Sequence, residues 1–141
     1  MDIYGMPGHL IRRLQQQSTQ VFAARMREAG FDITPVQFAA MDALAARPGI
    51  DQATLAQLIA YDRATIGGVV DRLEGKGLVE RTISAADRRA REVRLTDEGS
   101  RVHAALLPIV RLVQQDIMAP VPPAEQAAFM AAMRRLVDGL G

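Results

Sequence analysis

Cysteine is absent from the 141 residues, so the chain has no disulfide framework, no thiolate metal site and no thiol chemistry for sensing peroxide. Tryptophan is absent too, and aromatic residues make up only 4 % of the chain. A sandwich built on aromatic and β-branched strands is therefore disfavoured, and helices packed through aliphatic side chains are expected. No apolar run approaches the roughly 20 residues that cross a bilayer. Met1 to Leu10 lacks the basic start and apolar centre of a secretion signal, so a cytoplasmic location with no membrane partner is expected. Histidine occurs only at His9 and His103, and no motif joins them. With no glycine-rich phosphate loop and no zinc-hydrolase pattern, the sequence points away from an enzyme, a metal site or a cofactor.

What is present is a 49 % hydrophobic chain, enough for a core, with a formal net charge of +1. The placement of charge matters more than its sum. Sixteen of the seventeen basic residues are arginine, and Arg81, Arg88, Arg89, Arg91 and Arg94 stand against only Asp87 and Glu92 within one short stretch. Such a cluster is a candidate phosphate-facing patch.

Hydrophobic periodicity organises the rest. Leu10, Ile11, Leu14, Val21, Phe22 and Met26 follow helical spacing from Gly8 to about Ala29, and Gly30 closes the pattern. Thr34-Pro35-Val36-Gln37 reads as a capping box opening a helix to about Ala46. After the break at Arg47-Pro48-Gly49, Asp51 caps a short helix carrying Leu55, Leu58 and Ile59. Asp62 caps another, from Arg63 to about Lys76, with Ile66, Val69, Val70 and Leu73 on one stripe. Gly77 ends it. Leu78–Ile83 and Glu92–Thr96 form a hairpin with a charged tip, Val93 and Leu95 pointing inward. Thr96-Asp97-Glu98 caps a long helix through Val102, Leu106, Ile109, Val113 and Ile117, in which Pro108 predicts a bend. Beyond Pro120–Pro123 a last helix presents Phe129, Met133, Leu136 and Leu140.

Two short helices joined by a tight turn and followed by a hairpin define a mainly α, α+β winged helix-turn-helix, whose second helix enters the DNA major groove. The buried stripe of that helix leaves Arg63, Thr65, Gly67, Gly68 and Arg72 at exposed or boundary positions. Arginine and threonine contact base edges or phosphates. Asp87, Arg88, Arg89 and Arg91 at the wing tip suit a narrow minor groove, where negative potential concentrates.

The run Asp87-Arg88-Arg89-Ala90-Arg91-Glu92-Val93-Arg94-Leu95-Thr96 resembles the wing signature of MarR transcription regulators. Asp62-Arg63-Ala64-Thr65, Val70-Asp71-Arg72-Leu73-Glu74 and Gly77-Leu78-Val79 resemble that family's recognition helix and its exit, so the likeness covers nearly the whole chain. The resemblance implies a homodimer formed by helices within 1–32 and 97–141, with residues 33–96 as the DNA-binding module. Each half would read one arm of an inverted repeat in double-stranded DNA. It also implies that Arg63, Thr65 and Arg72 serve the recognition helix, that Asp87 orients Arg89 for the minor groove, and that Arg88 and Arg91 support phosphate contacts. Gly67 and Gly68 depart from the pattern, since many relatives carry polar or basic residues there, and readout is expected to lean on Thr65 and the wing.

Members of the family commonly bind small aromatic or phenolic acids, which require a cation. His9, Arg12 and Arg13 share a helix face by spacing and are the candidate donors, with Gln16, Gln37 and His103 as further candidates. Met41 is expected as core filler. The competing reading is a winged helix that binds another protein without DNA. The arginine-rich wing argues against it, and salt dependence separates the two.

Overall fold

A computed structural model describes all 141 residues. The chain enters through a 3-10 turn at Ile3–Gly5 and then runs as α1 (Pro7–Ala29), which Gly30 ends in the left-handed conformation at φ 80°. In α2 (Pro35–Ala46) the expected capping box is formed: Gln37 N–H donates to Thr34 Oγ1 at 3.2 Å and Thr34 N–H to Gln37 Oε1 at 3.1 Å. Asp51 caps α3 (Gln52–Leu58) by accepting the Thr54 N–H at 2.7 Å, and Asp62 caps α4 (Arg63–Gly75) by accepting the Thr65 N–H at 2.6 Å. These bonds satisfy amide donors that have no partner within the helix.

The sheet has three strands where the sequence suggested a hairpin alone. Strand β1 (Ile50–Asp51) pairs with β3 (Arg91–Leu95), which pairs in turn with β2 (Val79–Ile83), all antiparallel. Gly49, at φ 80°, turns the chain so that its N–H reaches the Val93 carbonyl at 3.1 Å and lays Ile50 opposite Val93. Two residues are too short for any alternation to register as a strand. Helix α5 (Asp97–Met118) starts at its Thr96 cap and continues through Pro108, and α6 (Pro123–Leu140) follows.

One continuous core joins α1 to α5. Phe22 and Met26 of α1 meet Met41 and Leu44 of α2, the Ile66, Val69, Val70 and Leu73 stripe of α4, Val93 of β3, and Val102, Leu106 and Val113 of α5. Each buried aliphatic side chain contributes about 1.5–3 kcal/mol. Packing therefore crosses the boundaries expected near residues 32 and 96. A bidentate pair, Arg25 Nε to Asp116 Oδ2 at 2.6 Å and Arg25 Nη2 to Oδ1 at 3.0 Å, fastens α1 to α5 and holds the Asp116 carboxyl below its ordinary range.

The front of α1 and all of α6 stand apart from this core. Leu10, Ile11 and Leu14 are exposed, α6 buries no residue, and Val137 and Leu140 are 71 % and 85 % exposed. Helices α5 and α6 meet at 100°, and no single helix is long and apolar enough to cross a membrane. The amphipathic pattern of these segments is present but faces open space.

Candidate nucleic-acid interface

Helix α4 buries its apolar stripe and turns Arg63, Thr65 and Arg72 outward. The Asp62 carboxylate takes the Thr65 N–H, which fixes the first turn, and these hydrogen bonds keep Asp62 ionised below the usual carboxylate range. Gly67 and Gly68 are half-buried. A Cβ at Gly67 would lie 3.7 Å from Gln52 Nε2, and one at Gly68 would lie 3.4 Å from Arg72 Nη1. Neither position is closed to a side chain. Glycine at 68 leaves the surface on which the Arg72 guanidinium rests.

The wing tip is stapled by its own side chains. Ser84, buried, accepts the N–H groups of Ala86 and Asp87 through Oγ at 3.2 and 3.3 Å. Asp87 Oδ1 accepts the backbone N–H of Arg89 at 2.9 Å, and the Arg91 guanidinium donates to the Arg88 carbonyl at 3.3 Å. Asp87 thus braces the backbone at Arg89, and no ion pair joins the two side chains. Arg88, Arg89 and Arg91 are exposed. Ser84 was not among the candidate residues, because a lone serine in a polar loop carries no pattern.

The arginine patch is smaller than its count. Arg81 lies on β2 but reaches back to Asp71 and to Glu74 (3.1 Å) on α4, and to Gln52 Oε1 (3.2 Å) on α3. Glu74 and Asp71 hold this guanidinium more firmly protonated and take its Nη2 donors. Arg94 pairs with Glu92 at 3.8 Å and lies over Gly49. Arg81 is a structural tie, and Arg88, Arg89 and Arg91 are the exposed arginines of the wing. Between α4 and the wing opens a cleft of about 400 Å³, lined by Arg63, Arg89 and Arg91 together with Asp51, Gln52 and Asp87.

A second joint connects this head to α5. Thr96 N–H donates to the Leu78 carbonyl at 3.0 Å, Thr96 Oγ1 donates to the Gly77 carbonyl at 2.6 Å, and Gly99 N–H donates to Thr96 Oγ1 at 3.0 Å. Gly99 is buried so tightly here that a Cβ would fall 1.9 Å from the Leu78 carbonyl oxygen. The sequence presents Gly99 as an ordinary first-turn residue, and only the contact reveals its role.

Of the candidate small-molecule donors, three gather on α1. Arg12 donates to His9 Nδ1 at 3.5 Å and to Gln16 Oε1 at 3.3 Å, while Tyr4 stands edge-on to the His9 ring at 5.6 Å. Arginine only donates, so Nδ1 is the acceptor in this contact, and Nε2 is buried without a partner. Arg13 is exposed and joins no hydrogen bond with this group. Gln37 also has a structural part. It is 4 % exposed, and its oxygen accepts from Thr34 N–H and from Lys76 Nζ at 3.2 Å, which makes it a tie between α2 and the end of α4. His103 is likewise engaged, with Nε2 2.9 Å from Asp42 Oδ1 and its ring stacked on Phe38 at 5.9 Å. Met41 is fully buried.

A helix pair capped by Asp51 and Asp62, closed by a three-stranded wing and flanked by long terminal helices, defines the winged helix-turn-helix class. Residues 31–90 match the MarR family. The transcriptional regulator HosA of Escherichia coli O127:H6 is 38 % identical over 130 residues, which cover 92 % of this chain and 93 % of that protein. The PcaV transcriptional regulator of Streptomyces coelicolor, solved with its natural ligand, is 36 % identical with a TM-score of 0.86, covering 100 % of this chain and 98 % of its own. BpsR of Bordetella bronchiseptica, whose DNA binding is regulated by 6-hydroxynicotinic acid, gives a TM-score of 0.89 at 27 % identity over 98 % of this chain and 97 % of its own. The chain belongs to the MarR family.

Proposed function

We propose that this protein is a dimeric repressor that binds an inverted repeat in duplex DNA and leaves it when a small aromatic or phenolic acid docks. The observation that carries the DNA reading is the open cleft in which Arg63 of α4 faces Arg89 and Arg91 of the wing. Guanidinium groups held on two rigid elements match the spacing problem of a helix in the major groove and a wing in the adjacent minor groove. Thr65 and Arg72 serve the base edges, Arg89 enters the minor groove, and Arg63, Arg88 and Arg91 take phosphates. The exposed apolar faces of α1 and α6 suit the partner subunit, because leaving them in water forgoes the stabilisation that burial supplies.

The effector reading rests on Arg12. Its guanidinium is exposed beside His9 and Gln16 on one face of α1, where it offers a ligand carboxylate or phenolate a charged donor. BpsR, whose DNA binding is regulated by 6-hydroxynicotinic acid, supports an aromatic acid effector, and PcaV, solved with its natural ligand, supports an effector as such. Ligand then favours a spacing of the two heads that no longer fits successive major grooves, a shift between populations of the same dimer.

The test is fluorescence anisotropy on duplex DNA from the protein's own upstream region, at low and near-physiological salt, with and without a panel of aromatic acids. Tight, salt-sensitive binding to an inverted repeat, lost with one acid, is the expected result. Binding that no acid relieves refutes the effector. Absence of binding to that DNA and to a random duplex pool refutes the DNA reading and leaves the protein-binding alternative.

A further inference from the structure

Gln52, the first residue of α3, carries no motif, yet the fold holds its amide in one orientation. Its Oε1 accepts from Arg81 Nη1 at 3.2 Å, and Arg81 is itself clamped by Asp71 and Glu74. Because arginine has no acceptor, the amide oxygen must face Arg81 and the nitrogen must face away. Gln52 Nε2 has no partner in the protein, and it is not among the buried unpaired atoms, so it meets solvent. The atom lies beside Gly67, where a Cβ would stand 3.7 Å from it. A longer side chain at 67 would occupy the space in front of the amide.

Gln52 lines the same cleft as Arg63, Arg89 and Arg91. The two carboxylates in that cleft each accept a backbone N–H through Oδ1, Asp51 that of Thr54 and Asp87 that of Arg89, and three guanidinium groups outnumber them. The cleft therefore carries net positive charge and offers a ligand mainly donors. When a helix occupies a major groove and a wing the neighbouring minor groove, the phosphodiester strand separating the grooves runs between them. Phosphate oxygens accept and do not donate, which matches the cleft.

We propose that Gln52 donates its amide N–H to a backbone phosphate seated in this cleft, through the gap that Gly67 leaves open; the proposal rests on the DNA-binding reading. Gln52 is thus a positioning contact. It sets the register of the head on the duplex and is neutral, so it contributes affinity without counterion release.

The experiment couples the protein to single phosphates. The operator duplex is prepared as a series, each member carrying one neutral methylphosphonate, and is titrated with the parent, Gln52→Ala and Gln52→Met. The methionine variant keeps the stem that packs against α4. Both variants are expected to bind unmodified operator and random duplex about 3- to 10-fold more weakly than the parent, with an unchanged salt slope. At one phosphate beside each half-site, the methylphosphonate should weaken the variants by a smaller factor than it weakens the parent, the remaining loss belonging to the cleft's arginines. Unchanged affinity overturns the proposal, as do losses that add independently at every phosphate. A loss confined to particular operator bases also overturns it, since that marks a base contact. If the parent binds no duplex, the DNA-binding reading itself falls and takes this proposal with it.

Discussion

Replacing Gly99 by alanine tests whether the joint between the reading head and α5 is as close as the structure has it. The added Cβ would stand 1.9 Å from the Leu78 carbonyl oxygen, 2.9 Å from its carbon and 3.3 Å from Leu78 Cα, all backbone atoms that cannot rotate aside. Relief requires α5 to withdraw from the turn after α4. That movement strains or breaks the Thr96 N–H bond to Leu78 and the Thr96 hydroxyl bond to Gly77. Overpacking of this kind costs about 1–3 kcal/mol, and each lost hydrogen bond about 1 kcal/mol. Alanine returns about 1 kcal/mol through its better helix propensity. The net destabilisation is about 2–4 kcal/mol, which lowers the midpoint of thermal unfolding by roughly 8–15 °C for a chain of this size. Parent and Gly99→Ala should be compared by circular dichroism at one fixed protomer concentration, because an associating chain has a concentration-dependent midpoint. A midpoint within about 1 °C of the parent would refute the close approach and the joint built on it.

Arg89→Ala should weaken DNA binding about tenfold and reduce the slope of log affinity against log salt by about one, with the sedimentation of the free protein unchanged; parental binding would remove the wing from the interface. Arg12→Ala should bind DNA as the parent does but need at least about ten times more aromatic acid for release, and an unchanged effector titration would sink the α1 site. The carboxyls of Asp51 and Asp62 both lie below their ordinary value of 3.8, because backbone N–H groups of Thr54 and Thr65 favour the ionised form. The unfolded chain therefore takes up protons first as the pH falls, so stability present above 3.8 is lost below it. Urea midpoints measured from pH 6 to 3 should fall less steeply for the Asp51→Asn, Asp62→Asn double variant, since asparagine caps without titrating; parallel curves would contradict the assignment.

The parts of this fold that local chemistry dictates were legible in the sequence. Thr34, Asp51, Asp62 and Thr96 each announce a helix start because a short acceptor beside its own amides needs no distant partner. The stripe of α4 and the inward Val93 follow from periodicity alone. Long-range features were not legible. Arg81 looked like one more charge in a basic run, and its removal from the patch depends on Asp71, Glu74 and Gln52 arriving from two other helices. Gln37 supplied two signals at once, and the fold shows the capping box, with the amide oxygen also tied to Lys76 and the amide nitrogen left without a protein partner. The orphaned Nε2 of His9 depends on which ring nitrogen Arg12 approaches, a matter of rotamers that spacing does not encode.

Lys76 is the one lysine in the chain, and it stands where α4 hands over to β2. Its amine is held by the Asp32 carbonyl and the Gln37 amide oxygen, so the end of α4 is latched to the loop before α2 and to the first turn of α2. In a molecule that otherwise uses arginine for positive charge, this makes the latch chemically unique. A lysine-specific protease has a single peptide bond to cut, and side-chain acylation has a single address. The rate of cleavage after Lys76 therefore reports opening of the backbone where α4 meets β2, and the rate of acylation reports how often the exposed amine leaves its two acceptors. Both can be read without introducing a label, a cysteine or any other change to the chain.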